Sequence, residues 1–156
     1  MPVFFESKRF SVASSDKPHV SRTDGGHIVI VPKRRLVNRW EMTQEEAVEF
    51  IRLSMIVGEA MVKGLNKRGI PVERINFQDN GNWGLDSKEG PHFHLHLYGR
   101  AKNSLEQKRG EALRFPDKAT KFWEKLDPLN QGDVNEILKQ MSLIEKRKKF
   151  QLSTSR

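Results

Sequence analysis

Histidine and apolar residues alternate along one short stretch, and this alternation constrains the fold more than any other feature of the chain. The imidazoles occupy every second position, with apolar side chains between them: His92, Phe93, His94, Leu95, His96 and Leu97. Successive side chains of a β-strand point to opposite faces, so the pattern predicts a strand over 92–98 with all three imidazoles on one face. The other face must pack against a core, which leaves the histidine face for chemistry.

Other segments predict the partners of this strand. The β-branched run 27–31 ends at Pro32, residues 74–78 alternate, and short apolar patches between residues 3 and 14 are typical of edge strands. These strand signals do not follow a regular strand-helix rhythm. We therefore predict an α+β fold with a five-stranded, mainly antiparallel sheet.

One long helix is predicted at about 43–68. Thr43 and Glu46 form a capping box, and the stretch 69–71 (Gly-Ile-Pro) is a stop signal. Its buried stripe is predicted to consist of six residues: Ala47, Ile51, Met55, Gly58, Val62 and Leu65.

The C-terminal part is predicted to be helical at its end. Residues 101–132 look irregular, with one short helix near 117–126, and Asp133 with Glu136 marks the start of a last helix. We divide the chain into a domain of residues 1–101 and a C-terminal helical extension of residues 102–156 with a basic tail, in the same globular unit.

Composition excludes several classes of protein. The chain has no cysteine, which rules out a disulfide framework, a cysteine nucleophile and a cysteine-ligated zinc. No apolar run reaches the ~20 residues of a membrane span, and the opening MPVFFESKRF lacks the pattern of a signal peptide, so we expect a cytoplasmic protein. The net charge is +8, but residues 139–156 carry five of these charges. The body is only mildly basic, so the charge does not by itself predict a nucleic-acid partner.

A row of imidazoles suits two kinds of chemistry. Metal binding is one, but the Cα atoms of His92 and His96 would lie ~13 Å apart on a strand, so three rings could not easily share one ion. A metal held by two of them and a distant ligand stays open. Phosphate chemistry is the other, because a central imidazole can attack phosphorus while its neighbours hydrogen-bond phosphate oxygens or move protons.

Phosphate chemistry needs donors around the imidazoles. Asn76 and Gln78 would supply amides if their face of the sheet continues the histidine face. Cations that could stand at the rim are Lys33, Arg34, Arg35 and Arg100. His27 would join the same surface if its strand is in the sheet.

The segment Pro91-His-Phe-His-Leu-His-Leu-Tyr98 resembles the signature of the histidine triad (HIT) family, in which three histidines alternate with apolar residues. Gly26-His-Ile-Val-Ile-Val-Pro-Lys-Arg34 is similar to a second family segment, and Asn76-Phe-Gln-Asp79 to the strand ahead of the triad. The resemblance covers roughly residues 3–101. It implies an α+β domain that forms homodimers and that hydrolyses or transfers nucleotides at the α-phosphate without a required cofactor or metal.

The resemblance also implies roles for individual residues. His94 would be the nucleophile that forms a nucleotidyl-histidine intermediate, His96 would contact the phosphate and assist the leaving group, and His92 would orient His94. His27 matches a family histidine near that ring. The implied nucleotide and phosphate contacts are Gln78, Asn76, Asp16, Lys33 and Arg100.

The sequence departs from the family pattern in two places. Arg35 stands where the nucleoside phosphoramidase branch has histidine, and residues 87–91 (Ser-Lys-Glu-Gly-Pro) replace the Gly-Gln-Ser/Thr of two branches. Trp83, in the loop before the triad, either stacks on a base or covers the sheet, and we favour the second.

The pattern is most similar to bacterial or archaeal hydrolases of dinucleoside polyphosphates. We expect an adenine nucleotide as the partner, hydrolysed in this form or as a nucleoside phosphoramidate, and no membrane. A non-catalytic nucleotide-binding module and an enzyme that removes adenylate from DNA or RNA are the alternatives.

Overall fold

The computed structural model describes residues 2–79 and 81–151. A single antiparallel sheet holds five strands in the order β1-β2-β3-β5-β4. The strands are β1 (Val3–Glu6), β2 (Phe10–Ser14), β3 (His27–Pro32), β4 (Val72–Gln78) and β5 (Leu95–Ala101), and the helices are α1 (Gln44–Lys67) and α2 (Gln131–Ile144). The predicted α+β class, the five-stranded antiparallel sheet and the long helix are confirmed.

Helix α1 packs against the apolar face of the sheet. Its residue Phe50 contacts Phe10 of β2 and Phe93 just before β5, with ring centroids 5.7 and 5.5 Å apart. Leu97 of β5 is completely buried in the same cluster. The prediction that residues 93, 95 and 97 face a core is therefore confirmed.

The predicted stripe of α1 was wrong at three of its positions. Ala47 is exposed, Ile51 and Met55 are about half exposed, and the helix instead buries a neighbouring stripe. The buried stripe consists of Phe50, Leu53, Ile56, Val57, Ala60, Met61 and Leu65. Apolar residues occur on two adjacent stripes of this helix, and the one with the large aromatic residue faces the sheet.

Helix α2 packs on α1 at a close crossing and begins earlier than predicted. A Cβ on Gly64 of α1 would lie 3.1 Å from the backbone nitrogen of Ile137, so the absence of a side chain allows the approach. Asn130 is the N-cap, and its partner in the capping box is Asp133. The fully buried Asp133 carboxylate also accepts hydrogen bonds from Arg22 and Arg68. These bonds join α2 to the turn before β3 and to the end of α1.

The stretch between β5 and α2 contains short 3-10 turns instead of the predicted helix near 117–126. The turns are Lys118–Thr120 and Phe122–Lys125. Lys121 between them has a positive φ of 48°, which interrupts a continuous helix. The last residues of the basic tail, 152–156, lie outside the described residues.

Two glycines, Gly25 and Gly99, allow the backbone before β3 to lie very close to the backbone of β5. A Cβ on Gly99 would lie 2.1 Å from the carbonyl oxygen of Gly25, and Gly25 itself has a φ of 127°. Only glycine accepts both the contact and this backbone conformation. The resulting approach brings His27, two residues after Gly25, level with Tyr98 of β5.

Candidate functional site

The strand register places polar side chains of three strands on one face of the sheet. His96 of β5 lies opposite Val29 of β3 and Gln78 of β4, and Tyr98 lies opposite His27. Directly paired residues point to the same face, as do residues two apart on one strand. This is the face turned away from α1, and its centre is polar.

The histidine row is only partly a strand. Strand β5 begins at Leu95, so the prediction of a strand from residue 92 was wrong for 92–94. The side chains nevertheless keep alternating, because the backbone N–H of Phe93 donates to the carbonyl of Leu36 at 2.7 Å and holds this segment extended. The rings of His92 and His94 are 5.6 Å apart, and those of His94 and His96 are 4.5 Å apart.

A backbone carbonyl determines which nitrogen of His94 carries the proton. His94 Nδ1 lies 2.8 Å from the carbonyl oxygen of His92, and a carbonyl oxygen can only accept a hydrogen bond. The proton of neutral His94 is therefore on Nδ1, and the lone pair is on Nε2. This is the tautomer that an imidazole needs to act as a nucleophile through Nε2.

A backbone N–H determines the tautomers of two further imidazoles. The N–H of His19 donates to His27 Nδ1 at 3.2 Å, so neutral His27 carries its proton on Nε2. That nitrogen lies 2.7 Å from His96 Nδ1, which must then accept. The proton of neutral His96 is consequently on Nε2. We refer to this sequence of hydrogen bonds, from the His19 backbone through His27 to His96, as the imidazole relay.

Burial favours the neutral form of His27, His19 and His92, because it lowers the pKa of each ring. It lowers the pKa of His27 well below its ordinary value, and neighbouring His96, His19 and His94 lower it further. Burial, with a contribution from His94, lowers the pKa of the His19 side chain to about 4. The pKa of His92 is also lowered, by burial and by the nearby His94 and Arg35. Only neutral His27 can accept the backbone N–H of His19 on Nδ1 and donate from Nε2 to His96, as the relay requires.

His19 is the residue of the candidate site that sequence reasoning missed. Its Nδ1 lies 2.9 Å from the hydroxyl of Tyr98, and its ring is 5.4 Å from that of His96. It lies in a turn-rich segment without periodicity, so no local pattern places it on the sheet. The available signal was the histidine count: the chain has five histidines, and all five meet at this site.

A cavity of about 790 Å³ opens over the histidines. This volume is within the range of ordinary small-molecule sites. Asp16 and Gln78, both predicted as contacts, line it together with the residues of the triad and His27. The walls are formed by two loops, residues 15–19 and 81–90, and by Leu113, Phe115 and Lys118 of the extension.

Three predicted phosphate contacts lie away from this cavity. Lys33 follows the far end of β3, roughly 20 Å along the strand from His27, and pairs with Glu6 at 3.6 Å. Arg100 is almost fully buried, and its Nη1 donates to Asn76 Oδ1 at 2.9 Å. The structure therefore brings together His27, His92, His94, His96, Asp16 and Gln78, and places Lys33, Asn76 and Arg100 elsewhere.

The relay does not have the form of a resident metal site. One nitrogen from each of His19, His27 and His96 lies within 4.8 Å of the others. Ligand nitrogens around a tetrahedral zinc stand roughly 3.3 Å apart, because each bond is about 2.0 Å long. His27 and His96 are closer than this and share a proton, and His27 Nδ1 accepts from a backbone N–H. Zinc would have to break both hydrogen bonds.

Sequence comparison finds no family model that matches this chain. It finds no match among curated proteins either.

The comparison of structures identifies the fold as that of the histidine triad proteins. A Hit-like protein from Bartonella henselae aligns over 90% of this chain and 87% of its own, with a TM-score of 0.56 and 13% identity. A zinc-bound histidine triad family protein from Mycobacterium smegmatis aligns over 93% and 88%, with a TM-score of 0.56 and 15% identity. A hypothetical histidine triad nucleotide-binding protein from Sulfolobus tokodaii aligns over 90% and 83%, with a TM-score of 0.55 and 13% identity. The expectation of a HIT-like fold is confirmed.

Proposed function

We propose that this chain, with its histidine triad fold, is a nucleotide hydrolase or transferase that acts through His94 and needs no metal. Its substrate would be a dinucleoside polyphosphate or a nucleoside phosphoramidate, attacked at the α-phosphate. The observation that carries the proposal is the hydrogen bond from His94 Nδ1 to the carbonyl of His92. It leaves the lone pair on Nε2 and holds the ring in one orientation.

In the first step, His94 Nε2 attacks the α-phosphorus and the bond from phosphorus to the leaving group breaks. His96 Nε2 donates its proton to the leaving oxygen or nitrogen. His27 supports this transfer, since its Nε2–H donates to His96 Nδ1 and holds the ring. Gln78, which lines the cavity, would donate its amide to a phosphate oxygen.

In the second step, water attacks the phosphorus of the nucleotidyl-histidine. His96 Nε2, now without its proton, accepts one from the water, and the bond between phosphorus and His94 breaks. The products are a nucleoside monophosphate and the original neutral imidazoles. An acceptor other than water would give nucleotidyl transfer by the same steps.

Product analysis tests this proposal. EDTA-treated protein is incubated with diadenosine tetraphosphate and, separately, with adenosine phosphoramidate, beside the His94→Ala variant. We expect AMP from at least one substrate with the wild type and none with the variant, which should melt at the same temperature. Binding of AMP without any product would favour the non-catalytic module. Activity that appears only with added zinc or manganese would refute the metal-independent mechanism.

We also propose that the chain pairs with a second copy of itself. Strand β4 ends the sheet order, so one side of it is available for pairing, and its residue Phe77 is 48% exposed. Ile51 and Met55 of α1, 53% and 46% exposed, extend this apolar surface. Light scattering should give a dimer for the wild type and a monomer for Phe77→Lys. The same change at Leu143, an exposed residue of α2, should leave the dimer intact.

The product analysis uses adenine nucleotides because the resemblance to the histidine triad family favours them as substrates. The absence of cysteine remains our reason to expect a reducing, cytoplasmic setting. Neither α1 nor α2, within residues 2–79 and 81–151, has the length and apolar character that a membrane span requires.

A further inference from the structure

Buried Arg100 fastens the extension to the polar face of the sheet. Its Nη2 donates to the carbonyls of Lys108 and Glu111 at 2.5 and 2.7 Å, while Nη1 donates to Asn76. A buried guanidinium needs several acceptors to offset its desolvation, and here most of them are backbone carbonyls of the extension. Arg100 therefore holds residues 107–111 at a fixed place on the sheet.

This attachment continues to the cavity wall. The side-chain amide of Gln107 donates to the carbonyl of Arg114 and accepts from its N–H, at 2.8 and 3.1 Å. Phe115 follows directly, and its ring lies 5.2 Å from that of Tyr98 and 5.3 Å from that of His19. Hydrogen bonds of Arg100 and Gln107 thus hold the segment 107–115 in place between the sheet and the site.

Two more aromatic rings complete this wall. Trp83 lies 5.2 Å from the His19 ring, and Phe122 lies 5.7 Å from His19 and 6.4 Å from Trp83. We call Trp83, Phe115 and Phe122 the aromatic collar. Trp83 and Phe115 line the cavity, and Phe122 supports Trp83 from the side.

The aromatic collar exposes part of its ring surface to the solvent. Trp83 is 44% exposed although it stands among other rings, whereas a tryptophan that only covers a sheet is expected to be largely buried. The His19 ring at its centre is not a cation at neutral pH, so this part of the wall offers flat apolar surface instead of positive charge. The cations Lys17 and Lys118 line the same cavity.

Flat apolar rings beside lysines match a planar aromatic group that is joined to phosphate. We propose that the aromatic collar is the base-stacking subsite of the cavity, with Trp83 as its main stacking surface. The proposal rests on the proposed nucleotide function, and it takes the other of the two interpretations of Trp83 that the sequence left open. Stacking of a base on an aromatic side chain contributes about 1–3 kcal/mol, which is roughly 5- to 150-fold in affinity.

Equilibrium binding tests the collar without any turnover. AMP and ribose 5-phosphate are titrated into the wild type, Trp83→Leu and the matched control Trp40→Leu, whose tryptophan is 82% exposed and lies outside the cavity lining. We expect the wild type to prefer AMP at least tenfold, and Trp83→Leu to weaken AMP binding about 5- to 50-fold. Affinity for ribose 5-phosphate should stay within about twofold, because that ligand has no base to stack.

Tryptophan fluorescence gives a second readout. AMP should quench emission in the wild type and in Trp40→Leu, and quenching should be largely lost in Trp83→Leu. Three results would overturn the proposal. Trp83→Leu could weaken the binding of AMP and of ribose 5-phosphate equally, or weaken neither. The wild type could also bind the two ligands with equal affinity. Failure of the proposed function is a separate result, since it appears as an absence of AMP product from wild-type protein.

Discussion

The two faces of β5 differ in how their side chains are held. On the face toward α1, Leu95 and Leu97 are buried by packing against apolar neighbours. On the opposite face, His96 is buried almost as deeply, but it is held by a hydrogen bond from His27 and by stacking on Tyr98. Adjacent residues of one strand therefore experience non-directional packing on one side and directional bonding on the other.

Under the proposed function, this difference would separate stability from activity along a single strand. Apolar burial is roughly proportional to area, so a loss on the α1 face should lower the free energy of unfolding. Directional bonds between imidazoles set proton positions, so a loss on the other face should lower the rate of the chemistry. The four predictions below test this separation, in order of decreasing effect.

Replacing His96 with asparagine should have the largest effect. An asparagine amide can take the place of Nδ1 as partner of His27, but the proton on Nε2 is lost. General-acid assistance contributes about 10²- to 10⁴-fold, so we expect kcat/KM to fall by about 10³-fold, which corresponds to about 4 kcal/mol. Steady-state assays measure this, with thermal melting as the control. A variant that keeps more than a tenth of the activity would show that His96 is not the proton donor.

Replacing Leu97 with alanine should give the opposite result. Leu97 is completely buried, so the cavity and lost contacts should lower the free energy of unfolding by about 3 kcal/mol. Urea denaturation measures this change. The activity of the folded fraction at low temperature should stay within about threefold of the wild type. A large loss of activity in fully folded protein would mean that the two faces are not separable.

Acid should weaken the fold through the histidine face. The pKa of His19 falls from 6.5 to about 4 on folding, so the unfolded chain takes up the proton first as the pH falls. The stability from neutral His19 is fully present above about pH 6.5 and is lost between that pH and about pH 4. Between pH 7 and pH 5 we expect His19 by itself to cost about 1–2 kcal/mol in urea denaturation, and His27 adds to the loss because its pKa is lowered too.

A His19→Asn variant is the control for this pH dependence. It should show a smaller loss over the same interval, because one of the three lowered histidine pKa values is gone. If the free energy of unfolding of the variant falls with pH as steeply as that of the wild type, groups other than His19 cause the effect of acid.

Replacing Thr43 with alanine should have the smallest effect. Thr43 Oγ1 accepts from the N–H of Glu46 at the start of α1, and loss of such a cap costs about 1 kcal/mol. Urea denaturation measures the change, and activity should not change, because the cap is on the helix side of the sheet. Thr43→Ser keeps the hydroxyl and should restore most of the stability.

Local patterns predicted those parts of the molecule that depend on local rules. Alternation identified the buried side of β5, and the Thr43–Glu46 capping box identified the start of α1. The choice between the two apolar stripes of α1 depended on packing against Phe10 and Phe93, which the helix sequence does not contain. Its exposed stripe, with Ile51 and Met55, was for that reason mistaken for core.

The walls of the site depend on contacts between distant segments. His19 reaches the triad because a turn-rich segment folds over β3, and Phe115 reaches it because Arg100 binds carbonyls of the extension. The sequence does not show where backbone carbonyls will lie. Arg100 was therefore predicted to contact phosphate, whereas it donates to carbonyls of the extension and holds that segment on the sheet. The clustering of the triad with His27 was therefore predictable from the sequence, whereas the surfaces around it were not.

The imidazole relay begins at a main-chain amide, and the tautomer of His94 is set by a main-chain carbonyl. A main-chain carbonyl is present at every position, and a main-chain N–H at every position that is not proline. Evolution or a protein engineer could therefore replace the rings and charges of the cavity walls to accept a different substrate while the positions of the protons stay the same. Under the proposed function, the reactivity of the site and the choice of substrate would therefore be able to change independently of each other.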